Sequence, residues 1–176
     1  MKQNTIKNIL IIVVMAFLEL IFSACSPNHL VYNQEQSASL GFNVDENSML
    51  ENPAQDQIRV YAARTNFFGT LVSYDFNVNY SPKLQDSELV NFKDFDDKLG
   101  AMKFPNKFSK DLNIEENKPL ALVASTTDFG QYSFLYFTPT RGRIYCVKGN
   151  IIFGFVVGRP NLSFINKEEC EKIFSK

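Results

Sequence analysis

Three cysteines, one histidine and scattered carboxylates are the groups in this 176-residue chain that could act as nucleophiles, bases or metal ligands. Cys25 follows Phe22-Ser23-Ala24 directly. Its thiol is a potential nucleophile. His29 lies four residues further on, in a polar stretch with no partner fixed by the sequence. A Ser-His or Cys-His pair is therefore not expected. No HExxH, CxxC, phosphate loop or dinucleotide fingerprint occurs. Asp94, Asp96 and Asp97 cluster around Phe95 without the ordered oxygen spacing and sharp-turn glycine of a calcium loop, and read as a solvated loop. No catalytic residue, metal site or cofactor is expected; a carboxylate pair assembled in three dimensions is the one enzymatic route left open.

The segment before Cys25 decides what its thiol does. Lys2 and Lys7 make a short positive region, Ile9 to Leu18 is an unbroken apolar run, and Leu20-Ile21-Phe22 extends it past Glu19. This pattern is too short for a membrane span of roughly 20 apolar residues and fits a signal peptide over residues 1–24. Phe22-Ser23-Ala24-Cys25 resembles the lipobox of bacterial lipoproteins, with Phe22 in place of the more usual Leu. The resemblance implies a mature N-terminus at Cys25 carrying acyl chains in a membrane. Ser26 after it implies export to the outer membrane. The competing readings are a retained span and ordinary secretory cleavage with Cys25 incidental.

Composition narrows the rest. The net charge is −1 overall, and removing residues 1–24 with Lys2, Lys7 and Glu19 leaves −2, so no basic stripe suggests nucleic acid. Seventeen Phe and seven Tyr without Trp suit the core of a β protein more than a ligand platform. Residues 25–56, rich in Ser, Asn, Gln, Asp and Glu, read as the lipidated Cys and a flexible tether reaching roughly 30 Å. Alternation of Leu40, Phe42 and Val44 within it allows one docked edge strand.

A folded body is expected over residues 57–176. Ile58 to Ala63 reads as a strand, and Phe68-Gly69 as a turn. Val72, Tyr74, Phe76, Val78 and Tyr80 alternate with polar residues, giving a strand with one buried and one wet face. Short strands are expected over 98–102 and 106–112 around Pro105, then over 119–125, 132–138, 143–148, 150–157 (interrupted by Gly154) and 161–165. Asn166 is a helix N-cap with Glu169 three residues later, as in a capping box, and Cys170, Ile173 and Phe174 share one helix face. Seven or eight short strands and a C-terminal helix argue an antiparallel β-sandwich.

Arg59-Val60-Tyr61-Ala62-Ala63-Arg64, Phe68-Gly69 and Val72 to Val78 resemble the opening hairpin of small Gram-negative outer-membrane lipoproteins with an immunoglobulin-like domain of unknown function. Gly142-Arg143-Ile144-Tyr145-Cys146-Val147, Gly158-Arg159-Pro160-Asn161-Leu162 and the Glu168-Glu169 helix resemble that family's closing segment. The resemblance implies an immunoglobulin-like sandwich on a lipid anchor and supplies no catalytic residues. Glu115-Glu116-Asn117-Lys118 replaces the family's usual turn, and Cys146 and Cys170 are not part of its pattern.

Lipidation of Cys25 leaves Cys146 and Cys170 as an even pair in an oxidising compartment, so a disulfide is expected. Two small buried thiols are the alternative. Arg159, between Gly158 and Pro160, is either a contact for an anionic partner or half of a structural ion pair. Ile151 to Val157 is either a buried strand or an exposed loop that meets a partner or membrane. Two functions follow. The preferred one is a non-enzymatic, lipid-anchored envelope lipoprotein acting by protein–protein contact, as an assembly accessory or an adhesin-like surface factor. The alternative is a binding module for a small or lipidic ligand in an aromatic-lined pocket.

Overall fold

Tyr74, Phe76 and Val78 are buried in the computed structural model, at the centre of a core closed between two β-sheets. The structure describes residues 29–65, 73–102, 106–126, 131–153 and 158–175. The expected leader, Cys25, Phe68-Gly69, Pro105 and the segment from Gly154 to Val157 lie outside the described residues.

The elements in chain order are β1 (His29–Val31), α1 (Gln34–Leu40), β2 (Gln57–Arg64), β3 (Tyr74–Asn79), β4 (Leu84–Gln85), β5 (Glu88–Leu89), β6 (Asp97–Met102), β7 (Asn106–Asn113), β8 (Leu120–Ser125), β9 (Tyr132–Phe137), β10 (Ile144–Phe153), β11 (Gly158–Ile165) and α2 (Lys167–Phe174). One sheet has the order β1-β9-β8-β3-β6 and the other β11-β10-β2-β7, while β4 and β5 form a small hairpin of their own. Ile58, Val60 and Ala62 of β2 meet Phe76, Leu122 and Leu135 of the facing sheet at the two-residue spacing of a pleated strand.

The expected all-antiparallel pairing is not what forms. β2 pairs parallel with β10, in register from Arg59↔Ile144 to Ala63↔Lys148, and β1 pairs parallel with β9. Alternation reports which face a side chain takes and is the same for either strand direction, so the pattern could not separate the two. The expected break between a strand at 143–148 and another at 150–157 is also absent, because β10 runs unbroken through Gly149.

Residues 29–56 are not a loose tether. Leu30 packs against the main core, and Tyr32 N donates to Tyr136 O at 2.9 Å. Asn33 caps α1 by accepting from Gln36 N at 2.8 Å, while Gln36 Oε1 accepts from Asn33 N at 3.1 Å. Phe42 and Ile144 exchange two backbone hydrogen bonds, which places the expected edge contact as an isolated bridge. Val44 and Leu50 are buried over the outer face of the four-stranded sheet. Burial of side chains this size contributes about 1.5–3 kcal/mol each, enough to offset roughly 1–2 kcal/mol of backbone entropy per residue at those positions. Polar residues that looked like linker composition are here caps and turn ligands.

The wet face expected on β3 is likewise covered. Asn77 and Asn79 are buried because residues 81–96 fold back over the five-stranded sheet. Asn91 fixes that excursion, its Oδ1 accepting from Lys83 N at 2.9 Å and its Nδ2 donating to Ser81 O at 3.1 Å. Leu89 then packs on Ala121, Val123 and Phe134, the outward residues of β8 and β9. Apolar side chains on both faces explain why β8 reads as a continuous run rather than an alternation.

Candidate functional site

β10 and β11 form a hairpin that pairs Cys146↔Ile165 through Phe153↔Gly158. Alternation turns Tyr145, Val147 and Ile151 into the core and leaves Cys146, Lys148, Asn150 and Ile152 on the outer face. Pairing with β2 stops at Lys148, so the Asn150 and Ile152 end of the face stands past it. Ile152 is 47% exposed and lies directly opposite Arg159. Arg159 is half-buried, and among the described residues its guanidinium shows no ion pair.

α2 closes the other end of this face. Asn166 Oδ1 accepts from Glu169 N at 2.9 Å. The reciprocal half of the expected capping box is missing, because the Glu169 carboxylate turns to Lys148 Nζ at 2.8 Å. Cys170 is bonded to Cys146, with Cα atoms 6.1 Å apart, and Phe174 meets the Tyr61 ring edge-on at 4.8 Å. Lys107 Nζ donates to Ile173 O at 3.2 Å, where a cation suits the C-terminal end of the helix dipole. Between α2 and β10 lies an open hollow of about 560 Å³ bordered by Thr65, Lys148, Glu169, Lys172 and Ile173.

A second surface covers the opposite side of the molecule. His29 stacks on Phe134 with ring centroids 4.7 Å apart and lies 5.0 Å from Tyr132, which stacks face to face with Phe92 at 4.0 Å. Among the described residues neither imidazole nitrogen has a hydrogen-bond partner, and both are shielded from solvent. Burial lowers the His29 pKa, against the opposing pull of the Glu88 carboxylate. Lys93 Nζ sits 5.4 Å over the Phe92 ring. Val31 and Val90, on the same side, are 44% and 56% exposed.

The other charged candidates are spent on structure. Asp96 Oδ2 accepts from Tyr80 N at 2.6 Å, and Asp97 pairs with Lys110 at 2.8 Å, so the aspartate cluster does not converge. Arg59 holds the Asp111 carboxylate through two hydrogen bonds of 2.5 and 2.8 Å, the Glu51 carboxylate through one of 2.8 Å and the Glu51 carbonyl through one of 3.3 Å. Hydrogen bonding to Arg59 draws the Asp111 carboxyl below the usual carboxylate range. Among the described residues, no group of three His, Cys, Asp or Glu side chains could hold a metal ion, and no helix is long and apolar enough to cross a membrane. Two further hollows, of about 310 and 350 Å³, border Tyr80 with Ile114 and Pro119, and Gln34 with Arg141. Tyr80 is the one aromatic among the described linings of these three hollows.

The sequence drew attention to Arg159 and the cysteine pair but missed the His29 surface. Its signal was present: His29 and Val31 flank Leu30 at strand spacing. Comparison of the chain with protein-family models, with curated proteins and with solved structures found no match.

Proposed function

We propose that the chain is the precursor of a lipid-anchored, non-enzymatic envelope lipoprotein acting by protein–protein contact, as an assembly accessory or an adhesin-like surface factor. The carrying observation is the sequence join of a positive region, an apolar run and Phe22-Ser23-Ala24-Cys25, four residues before β1 at His29. Cys25 takes the diacylglycerol and becomes the mature N-terminus. Two or three acyl chains then hold the protein in the outer membrane, each buried CH₂ contributing about 0.8 kcal/mol.

Protein contact is supported by the outer face of β10 and β11. Ile152 offers exposed apolar area, and Arg159 beside it offers a guanidinium with no described partner to satisfy. The non-enzymatic part is supported by the sole histidine, whose two nitrogens make no hydrogen bond among the described residues. Kinship of the sandwich with immunoglobulin-like domains belongs to the same reading. It is supported by Tyr145, whose hydroxyl accepts from Thr140 N at 2.8 Å just before Cys146, as in a tyrosine corner.

The test uses whole cells. Labelled palmitate should enter the native chain and not the Cys25→Ala variant; label retained by the variant would reject the anchor. A photo-crosslinking residue at position 152 should give a discrete protein adduct that Arg159→Glu removes. No adduct from correctly acylated protein would reject the contact role.

A further inference from the structure

From the surface around His29 and the few residues that separate it from Cys25, we infer that the outer face of the five-stranded sheet lies against the bilayer. The inference rests on the lipoprotein reading. Four residues of extended chain span at most about 14 Å, so acyl chains on Cys25 hold β1 within that distance of the headgroups. A tether reaching roughly 30 Å would have left the body free to tumble. The packing of residues 29–56 removes that freedom and decides which side of the body faces the membrane.

β1 is the outermost strand of its sheet. Its register with β9, His29↔Phe134 and Val31↔Tyr136, places His29 and Val31 on the outer face, while Leu30 turns inward. Around them are Val90, Phe92, Tyr132 and Tyr136, the last three only partly buried. Exposed valines beside tyrosine rings, with Lys93 over Phe92, have the composition of a membrane interface: apolar bodies, polar ring edges and a cation that can reach outward. The opposite outer face, under α2 and residues 42–50, also exposes Met49 and Ile152, but β1, the strand that follows Cys25, does not lie on it. The rim carries Asp86, Glu88, Asp94 and Asp96 against Lys83 and Lys93, so the face suits a zwitterionic bilayer better than an anionic one.

Two spin labels test the orientation. Val90 and Met49 are both exposed and lie on opposite outer faces. Cys146 and Cys170 are bonded to each other and Cys25 is consumed by acylation, so Val90→Cys or Met49→Cys provides a single labelling site. Each acylated, labelled chain is placed in vesicles of phosphatidylcholine and phosphatidylethanolamine. Its collisions with oxygen and with a water-soluble nickel chelate are compared, and fatty-acid incorporation is measured on the same sample. The expected result is an oxygen-to-nickel collision ratio several-fold higher at position 90 than at position 49, shrinking when phosphatidylglycerol is added. Equal, water-like ratios at the two positions in acylated protein would overturn the orientation and leave the lipoprotein reading standing. A label at 90 shielded from both reagents would also overturn it, since contact with protein rather than lipid produces that signature. Chain that takes up no fatty acid would overturn both readings.

Discussion

The Tyr74 hydroxyl occupies the place where a side chain at position 149 would begin. A Cβ built on Gly149 meets that oxygen well inside van der Waals contact and lies 3.0 Å from Cζ of the same ring and 3.1 Å from Met102 Cε. Tyr74 is buried and its oxygen has no hydrogen-bond partner, so the group is held for its shape. Gly149→Ala should therefore destabilise by about 1–3 kcal/mol, as overpacking of a tight core does. Tyr74→Phe should be neutral or stabilising, because it removes an unsatisfied buried hydroxyl. The double variant should recover much of the loss, and a denaturation cycle on the four proteins measures the coupling. Additive losses would show that the two positions do not compete for the same space.

The cysteine bridge should carry a sizeable share of the stability of α2. Cys146 and Cys170 are 24 residues apart, and closing a loop of that size contributes roughly 3 kcal/mol in the chain-entropy model. Replacing both by Ser should lower stability by about that amount and expose Tyr61, which Phe174 covers edge-on. Peptide mass spectrometry without reductant reports the bond, and denaturant melts report its effect. Two freely alkylated thiols in exported protein would contradict the bridge.

Acid should loosen β1 first. Burial holds the His29 pKa below its ordinary value, so the unfolded chain takes up the proton before the folded one does. The contribution is complete above about pH 6.5 and is lost as the pH falls through the lower, folded-state value. Amide exchange at Leu30 to Tyr32, corrected for intrinsic rates, should speed up between neutrality and about pH 5. His29→Phe keeps the stack on Phe134 and should flatten that response. An unchanged pH profile in the variant would place the acid sensitivity elsewhere.

The two carboxylates held by Arg59 should differ in weight. Asp111 is 32% exposed and receives both ends of the guanidinium fork, whereas Glu51 is 81% exposed and receives one bond. Asp111→Asn should cost about 1.5–3 kcal/mol, as charged hydrogen bonds of this kind do, and join β2 to β7 less firmly. Glu51→Gln should cost no more than about 1 kcal/mol. Equal costs in thermal melts would mean that the fork geometry adds nothing.

Strand positions in the second half of the chain were legible because alternation and turn residues coincide there. β6, β7, β8, β9 and α2 begin and end within a few residues of where the pattern puts them. The strands expected at 143–148 and 150–157 left a break at Gly149, yet that glycine answers to Tyr74 across the core, a contact that no local pattern encodes. Asn77 and Asn79 looked solvent-facing because their cover comes from residues 81–96, whose apolar members are too sparse to show a period. The N-terminal segment misled for a related reason. Ser, Asn and Gln are both what a linker is made of and what caps a short helix, and only Leu30, Val44 and Leu50 betray the packing. Arg159 and the cysteine pair could be found by residue type alone, whereas the aromatic face near His29 depends on which strand lies beside β9.

The two parallel pairings also govern when the molecule can fold. β1 borders only β9, and β2 needs β10 on one side, so the earliest strands wait for partners roughly a hundred residues downstream. Contacts this distant in sequence make nucleation slow. A chain emerging N-terminus first, from a ribosome or through a membrane pore, can pair β2 with β7 but cannot cover the other edge of β2 until β10 is out. The topology therefore delays completion of the four-stranded sheet and docking of β1. A fragment ending before Ile144, pulsed with deuterium, should protect residues 57–64 much less than the full chain does, since only the β7 edge is paired; equal protection would remove the delay.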